Sequence, residues 1–224
     1  MSKPSSMSAE KLRFFAKKVG VLVSSEQAYQ LKAFDNLLIK WTKRFNLVSA
    51  NTLNDSVIRH VLDSLSIGPY LEDSEHCDAS DTGLYDLLDV GSGAGLPVLP
   101  LAIAFPERRF ASVETNGKKV RFQRQVVLEL GLKNLDVFEQ RIESVQLQAT
   151  QVTSRAFAAP ANFLQLVTDK CTAGGSAIIM LGQAEKMPEA LPDPWRLNSV
   201  QPVDVPGESG QRHVALCIRG TLNL

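Results

Sequence analysis

The sequence has few of the residues that mark a metalloprotein or a disulfide-stapled secreted domain. Three cysteines, Cys77, Cys171 and Cys217, and three histidines, His60, His76 and His213, are scattered along 224 residues with no CxxC pair. That spacing suggests neither a zinc site nor a disulfide framework, so no metal is expected and a reducing cytoplasm is the economical location. No apolar run nears the roughly eighteen residues needed to cross a bilayer. The longest run near the start, Val19 to Val23, is too short for the core of a signal peptide. A soluble, unexported protein with no membrane partner is expected. Internal repeats and low-complexity tracts are absent, and so is net charge: 24 Lys and Arg balance 24 Asp and Glu.

That zero conceals a segregation. Residues 1–70 carry ten bases against five acids, residues 71–90 seven acids and no Lys or Arg, and residues 91–155 nine bases against six acids. A basic first third and a basic middle, parted by an acidic loop, can form a positive face on a neutral protein, which affinity for a phosphate backbone requires. The bland alternative is that these side chains only solvate helix faces. With 44% apolar and 21% charged residues the chain can bury a core of its own, and its length allows one full domain plus an appendage.

Ser24 and Ser25 can cap a helix in which Leu31, Phe34, Leu38, Trp41 and Phe45 recur at steps of three and four. A shorter helical pattern precedes it around Leu12 to Val19, and another follows from Val57 to Ile67, closed by Gly68 and Pro69. Residues 1–71 therefore read as a helical N-terminal extension and residues 72–83 as an exposed acidic loop. From Leu84 to the end, residues 84–224, short apolar runs alternate with helical segments, the signature of βαβ units and a mostly parallel sheet. The expected strands are Tyr85 to Val90, Phe110 to Glu114, Leu135 to Glu139, Val152 to Ser154 and Ser176 to Leu181. The expected helices between them are Leu96 to Phe105, Lys118 to Leu130 and Asn162 to Lys170. Two last runs, near Leu197 to Val205 and Arg212 to Arg219, are joined by PGESG, too short for a crossover, and must form an antiparallel hairpin.

The first strand runs directly into GSGAGLP, which places Gly91, Gly93 and Gly95 in the turn before a helix. Glycine there lets backbone approach a ligand closely. Glu114 ends the second strand, and in a doubly wound sheet that strand end neighbours the first, where a carboxylate can take both hydroxyls of a ribose. An adenosine-containing cofactor is implied. The third glycine falls one position earlier than in a dinucleotide fingerprint, which has its glycine where this chain has Leu96, so S-adenosylmethionine fits better.

The segments WTKRFNLVS, RHVLDSL, LLDVGSGAGLPVLPLAIAFP, GKKVRFQRQVVLELGL, RIESV and TSRAFA, in this order and spacing, resemble the bacterial small-subunit ribosomal RNA methyltransferase G family, also called glucose-inhibited division protein B. The likeness runs from about Trp41 to Gln183. It implies an α/β, Rossmann-like class I S-adenosylmethionine-dependent methyltransferase fold with a mostly parallel sheet, a C-terminal antiparallel hairpin and a helical N-terminal extension. It also implies methyl transfer to N7 of a guanine in 16S rRNA, with naked RNA, an assembling small subunit or the complete subunit as partner. The family's cofactor positions fall on Gly91, Leu96, Ile142, Glu143 and Arg155, beside Gly93, Gly95 and Glu114. Where the family commonly has a second glycine after GLP, this chain has Val98.

Guanine N7 has an in-plane lone pair and no proton, so methylating it needs no general base; none is expected, and the sequence singles out no catalytic residue. Positioning would supply most of the rate, and the target base would have to leave its stack. Candidates for holding RNA are Lys40, Lys43, Arg44, Arg59 and His60 in the N-terminal third, and Lys118, Lys119 and Arg121 beside the cofactor. His60 is either a substrate-side contact or a helix residue bonded to Asp63, and Arg59 either meets RNA or pairs with Asp63. Trp41 continues the apolar stripe and is expected in the core. Two rival functions remain: a class I methyltransferase of small molecules or proteins, and a non-catalytic ribosome-assembly protein that binds RNA. The intact glycine loop opposes the second, and the basic N-terminal third opposes the first.

Overall fold

The structure, a computed structural model, describes residues 7–72, 83–155 and 158–221. The expected acidic loop lies outside these residues except for its two ends. Seven strands form one sheet: β1 Leu84–Val90, β2 Phe110–Glu114, β3 Leu135–Glu139, β4 Gln148–Arg155, β5 Cys171–Leu181, β6 Trp195–Pro202 and β7 His213–Arg219. Their order is β3-β2-β1-β4-β5-β7-β6. The first five are parallel, and β7 lies between β5 and β6, antiparallel to both. Every expected strand is present. The hairpin is also present, but pattern alone did not place its second strand inside the sheet.

Helices α4 Val98–Ala104 and α5 Gly117–Leu130 cover one face of the sheet, and α6 Pro160–Val167 covers the other. All five residues of β2 are buried, as a parallel strand covered on both faces requires. Strand succession reverses direction between β1 and β4, so the two neighbouring carboxyl ends open a crevice there. Asn116 caps α5 by accepting from the Lys118 and Lys119 amides, and Gly131 ends it in the left-handed conformation at φ 64°.

The N-terminal helices form a further layer on α4 and α5. Helix α1, Ala9–Lys18, packs on α2, Ser25–Phe45. Ser24 and Gln27 close a capping box at the start of α2, and the Gln27 amide also donates to the Ala104 carbonyl at the end of α4. Phe34 and Trp41 of the apolar stripe reach Phe122 of α5, with ring centroids 6.3 and 5.6 Å apart. Trp41 thus packs against the core, as its place in the stripe implies. The extension and the α4–α5 face share one continuous hydrophobic cluster.

Where a single helix over Val57 to Ile67 was expected, the chain makes a π-helical turn, Val57–Leu62, that runs into a short α3, Asp63–Leu65. Such wide turns are rare and recur at functional sites. Arg59 and His60 lie on it.

Candidate functional site

The glycine turn is left-handed at each expected position, with φ 66° at Gly91, 60° at Gly93 and 74° at Gly95. At Gly95 space is also needed, because a Cβ there would collide with the Leu99 side chain. At Gly93 a Cβ would meet nothing closer than 3.8 Å, so only φ demands glycine and the backbone stands open to a ligand. Leu96 turns its side chain into the core, and its amide donates to the Ser92 carbonyl.

A buried polar knot fixes this turn. Ser112 Oγ on β2 donates to Gln123 Oε1 at 2.6 Å, and Gln123 Nε2 on α5 donates to Ser92 Oγ at 2.9 Å and to the Gly93 carbonyl at 2.8 Å. The Ser92 and Ser112 hydroxyls close the ring at 2.5 Å. Glu114 completes the support. Its Oε2 accepts from the Gly93 amide and its Oε1 from the Thr115 and Asn116 amides, each at 2.8 Å. Glu114 was expected to face a ribose; here both its oxygens are turned to backbone amides.

Beside the turn lies a cleft of about 410 Å³ whose walls include Gly91, Glu114, Lys119, Ile142 and Glu143. Ile142 is buried in its floor, and Glu143 is exposed at its rim. Asp89, which the sequence reading passed over, sits at the foot of the turn. It is fully buried, and neither carboxylate oxygen has a hydrogen-bond partner. Burial pushes its carboxyl well above the usual range, opposed mainly by the nearby Val98 amide and the Arg155 charge. Val98, the departure from the family pattern, opens α4 and is fully buried.

Arg155 is not in the wall of that cleft. Two residues past the Asp89–Thr153 pair, it ends β4 as Gly91 follows β1, so the two stand level on adjacent strands. It lines a smaller pocket of about 160 Å³ with Asp63, Met180, Gly182 and Arg212. Its Nη2 donates to the Arg59 carbonyl at 3.1 Å and lies 3.2 Å from His60 Nδ1. Its Nη1 pairs with Asp63 Oδ2 at 3.2 Å without hydrogen-bond geometry and has no other partner. Asp63 Oδ1 also accepts from Arg212 Nε at 2.9 Å, Arg212 reaches Glu208 at 3.2 Å, and Glu208 lies 3.9 Å from Arg59. Arg59 therefore pairs with Glu208 and not with Asp63. His60, only 4% exposed, bonds Thr52 and Arg155 and not Asp63. Asp63 and Arg212 lie 149 residues apart, so no local pattern joins them.

The remaining basic candidates lie on two helix ends. Lys40, Lys43 and Arg44 are exposed near the end of α2, and Lys118 and Arg121 are exposed on the first turns of α5, with Lys119 half-buried beside Gly93. The Trp41–Phe122 contact brings these two helix ends together beside the glycine turn. Among the described residues no group of three or more His, Cys, Asp or Glu gathers as a metal site, and no helix is long and apolar enough to cross a membrane. Cys171 and Cys217 are buried, with thiols pushed up to about 12, so neither is poised as a nucleophile.

A doubly wound sheet with a glycine turn after its first strand, an acidic end to its second and a single reversed strand, β7, inserted next to the edge defines the class I methyltransferase fold. A magnesium protoporphyrin IX methyltransferase from Synechocystis PCC 6803, solved with bound SAM, shares it with a TM-score of 0.55 and 11% identity, over 84% of this chain and 97% of that one. The family model described as rRNA small subunit methyltransferase G matches residues 27–215. Among relatives called ribosomal RNA small subunit methyltransferase G, that of Ectopseudomonas mendocina is 40% identical over 94% of this chain and 96% of its own. That of Marinobacter nauticus is 41% identical over 88% of each. The chain belongs to the rRNA small subunit methyltransferase G family, which bears out both the fold and the family read from the sequence.

Proposed function

We propose that this protein transfers a methyl group from S-adenosylmethionine to N7 of a guanine in 16S rRNA. The observation that carries the reading is an intact glycine-turn cleft, with its buried supports complete, in a chain of this family. The residues fit the cofactor. It presents an ammonium, a sulfonium, a carboxylate and a ribose; the cleft wall offers the Glu114 and Glu143 carboxylates to the cations and hydroxyls, the unpartnered Asp89 carboxyl lies behind it at the foot of the turn, and Arg155 at the neighbouring strand end can turn a donor to the carboxylate. When bound, the cofactor supplies an electrophilic methyl group.

The protein's own contribution is to hold and orient. Gly91 and Gly93 let backbone close on the ligand, Ile142 gives an apolar floor to a ring, and Arg155 fixes the end of the cofactor nearest β4. Guanine N7 brings its own lone pair and carries no proton, so no side chain has to remove one. Alignment of this kind supplies on the order of 7–11 kcal/mol. Lys40, Lys43, Arg44, Lys118, Lys119 and Arg121 provide positive charge for phosphates around the target.

Incubation with methyl-labelled S-adenosylmethionine and small subunits from cells lacking the protein tests this reading. Label should appear in 16S rRNA, and Gly93→Val should abolish it by forcing a β-branched residue to φ 60°. Label in ribosomal protein, or none with the wild-type chain, would refute it.

A further inference from the structure

The π-helical turn places His60 behind Arg155, and the hydrogen atoms around the imidazole can be assigned from the chemistry of its neighbours. A guanidinium has only donors, so the 3.2 Å contact between Arg155 Nη2 and His60 Nδ1 requires a lone pair on Nδ1. The proton of the neutral ring is then on Nε2, which lies 2.8 Å from Thr52 Oγ1. Thr52 has its own hydroxyl proton committed to the Ser49 carbonyl at 2.6 Å, so its oxygen is free to accept. One direction results: Arg155 donates to His60, His60 to Thr52, and Thr52 to Ser49. Both ring nitrogens are thereby occupied, which leaves His60 neither a lone pair for a substrate proton nor an exposed edge for RNA.

We propose that His60 is a positioning residue that acts through Arg155: its Nδ1 lone pair and the Arg59 carbonyl hold Nη2, so that Nη1 remains as the donor that meets the cofactor's carboxylate. The proposal rests on the reading of Arg155 given above. Nη1 is buried and lies 3.2 Å from Asp63 Oδ2 without hydrogen-bond geometry, so its N–H groups stay uncommitted, whereas Nη2 has two acceptors within 3.2 Å. Asp63 backs the same guanidinium from the adjoining turn and shares its second oxygen with Arg212. Two segments distant in sequence therefore set the Arg155 side chain at the end of β4: the π turn with α3, which bears His60 and Asp63, and the loop entering β7, whose Arg212 holds Asp63. Arg59, a candidate RNA contact, lies on the first of these, so RNA docking and cofactor grip share a structural element. Burial and the Arg155 charge push the imidazole down to about 3, which keeps it neutral and an acceptor throughout the range in which the protein works.

Two mild substitutions separate the two bonds of the ring. In His60→Asn the amide oxygen falls close to the position of Nδ1 and can still accept from Arg155; in His60→Gln the longer amide reaches Thr52 and leaves Arg155 Nη2 with the Arg59 carbonyl as its one acceptor. Calorimetric titration of the full chain with S-adenosylmethionine should give affinity within about twofold of wild type for Asn, and a loss of about tenfold for Gln, the worth of a charge-assisted hydrogen bond. In an Arg155→Ala background the Gln substitution should have no further effect, because the residue through which it acts is gone. Equal affinities for Asn, Gln and wild type, or a Gln loss that persists without Arg155, would overturn the proposal. Arg155→Ala binding as tightly as wild type would instead sink the reading of Arg155 itself. Thermal melts on each variant identify any loss that comes from unfolding.

Discussion

Gln123 ties Ser92, Ser112 and the Gly93 carbonyl into one buried knot, so the geometry of the glycine turn depends on a side chain thirty residues away. Gln123→Leu would leave two hydroxyls and a carbonyl short of partners. It should lower stability by about 2–4 kcal/mol and weaken S-adenosylmethionine binding at least tenfold. Urea unfolding and calorimetry check the two parts, and unchanged cofactor affinity would show that the turn holds its shape alone. His60 gives a prediction in pH. Its folded pKa, about 3, lies below the unfolded value near 6.5, so between these the unfolded chain binds more protons and stability rises with pH. Above about 6.5 this contribution is level. His60→Asn should therefore flatten the climb of the urea midpoint between about pH 4 and 6, and no limb due to His60 should appear in the methyl-transfer rate between about pH 6 and 9. A rate in saturated enzyme that falls through a pKa in that window, and loses the fall in His60→Asn, would restore a base. The sequence made the glycines and Glu114 legible because their spacing from strand ends is local. It hid Asp89 in a strand that reads as apolar, and it hid the Arg155 cluster because Asp63, Arg155 and Arg212 meet only through the fold.

Helix α2 was readable almost to the residue, since its Ser24 cap and the apolar stripe from Leu31 to Phe45 act within a few positions; Asn46, left-handed at its end, was not singled out. The π turn at Val57–Leu62 was not, because apolar residues three and four apart suit an ordinary helix, and tertiary contacts choose the wider turn. Strand β4 began four residues earlier than expected for a similar reason: Gln148 to Gln151 is too polar to read as a strand, yet it pairs with β1, and Gln151 is buried by bonding Ser176 and the Tyr70 carbonyl. The elements of the extension are joined to the rest through Phe34, fully buried against Phe122. Phe34→Ala should cost about 3–5 kcal/mol and lower the melting temperature by roughly 6–20 °C. Because the cluster is continuous, the wild-type protein should unfold in one transition seen alike by far-ultraviolet and near-ultraviolet dichroism. Two separated transitions would make the extension an independent unit.

The whole molecule is neutral, yet the end of α2 and the start of α5 carry exposed Lys and Arg and are joined by the Trp41–Phe122 contact, and Lys119 of α5 lines the cleft. That arrangement suits a polyanion whose reacting base must reach the cleft while its phosphates lie on α2 and α5. Changing Lys40, Lys43, Arg44 and Lys118 together to Gln should weaken 16S rRNA binding and reduce the slope of log affinity against log salt by about three units, while S-adenosylmethionine affinity stays as it was. An unchanged slope would reduce those charges to solvation. The central claim, a methyl group placed on guanine N7 without a general base, is tested most directly by the chemical identity of the product. Small subunits lacking the modification are treated with the protein and S-adenosylmethionine, and their 16S rRNA is digested to nucleosides for mass spectrometry. The account predicts 7-methylguanosine as the new nucleoside; a methylated adenosine, a 2′-O-methylated nucleoside or a guanosine methylated at another atom would contradict it.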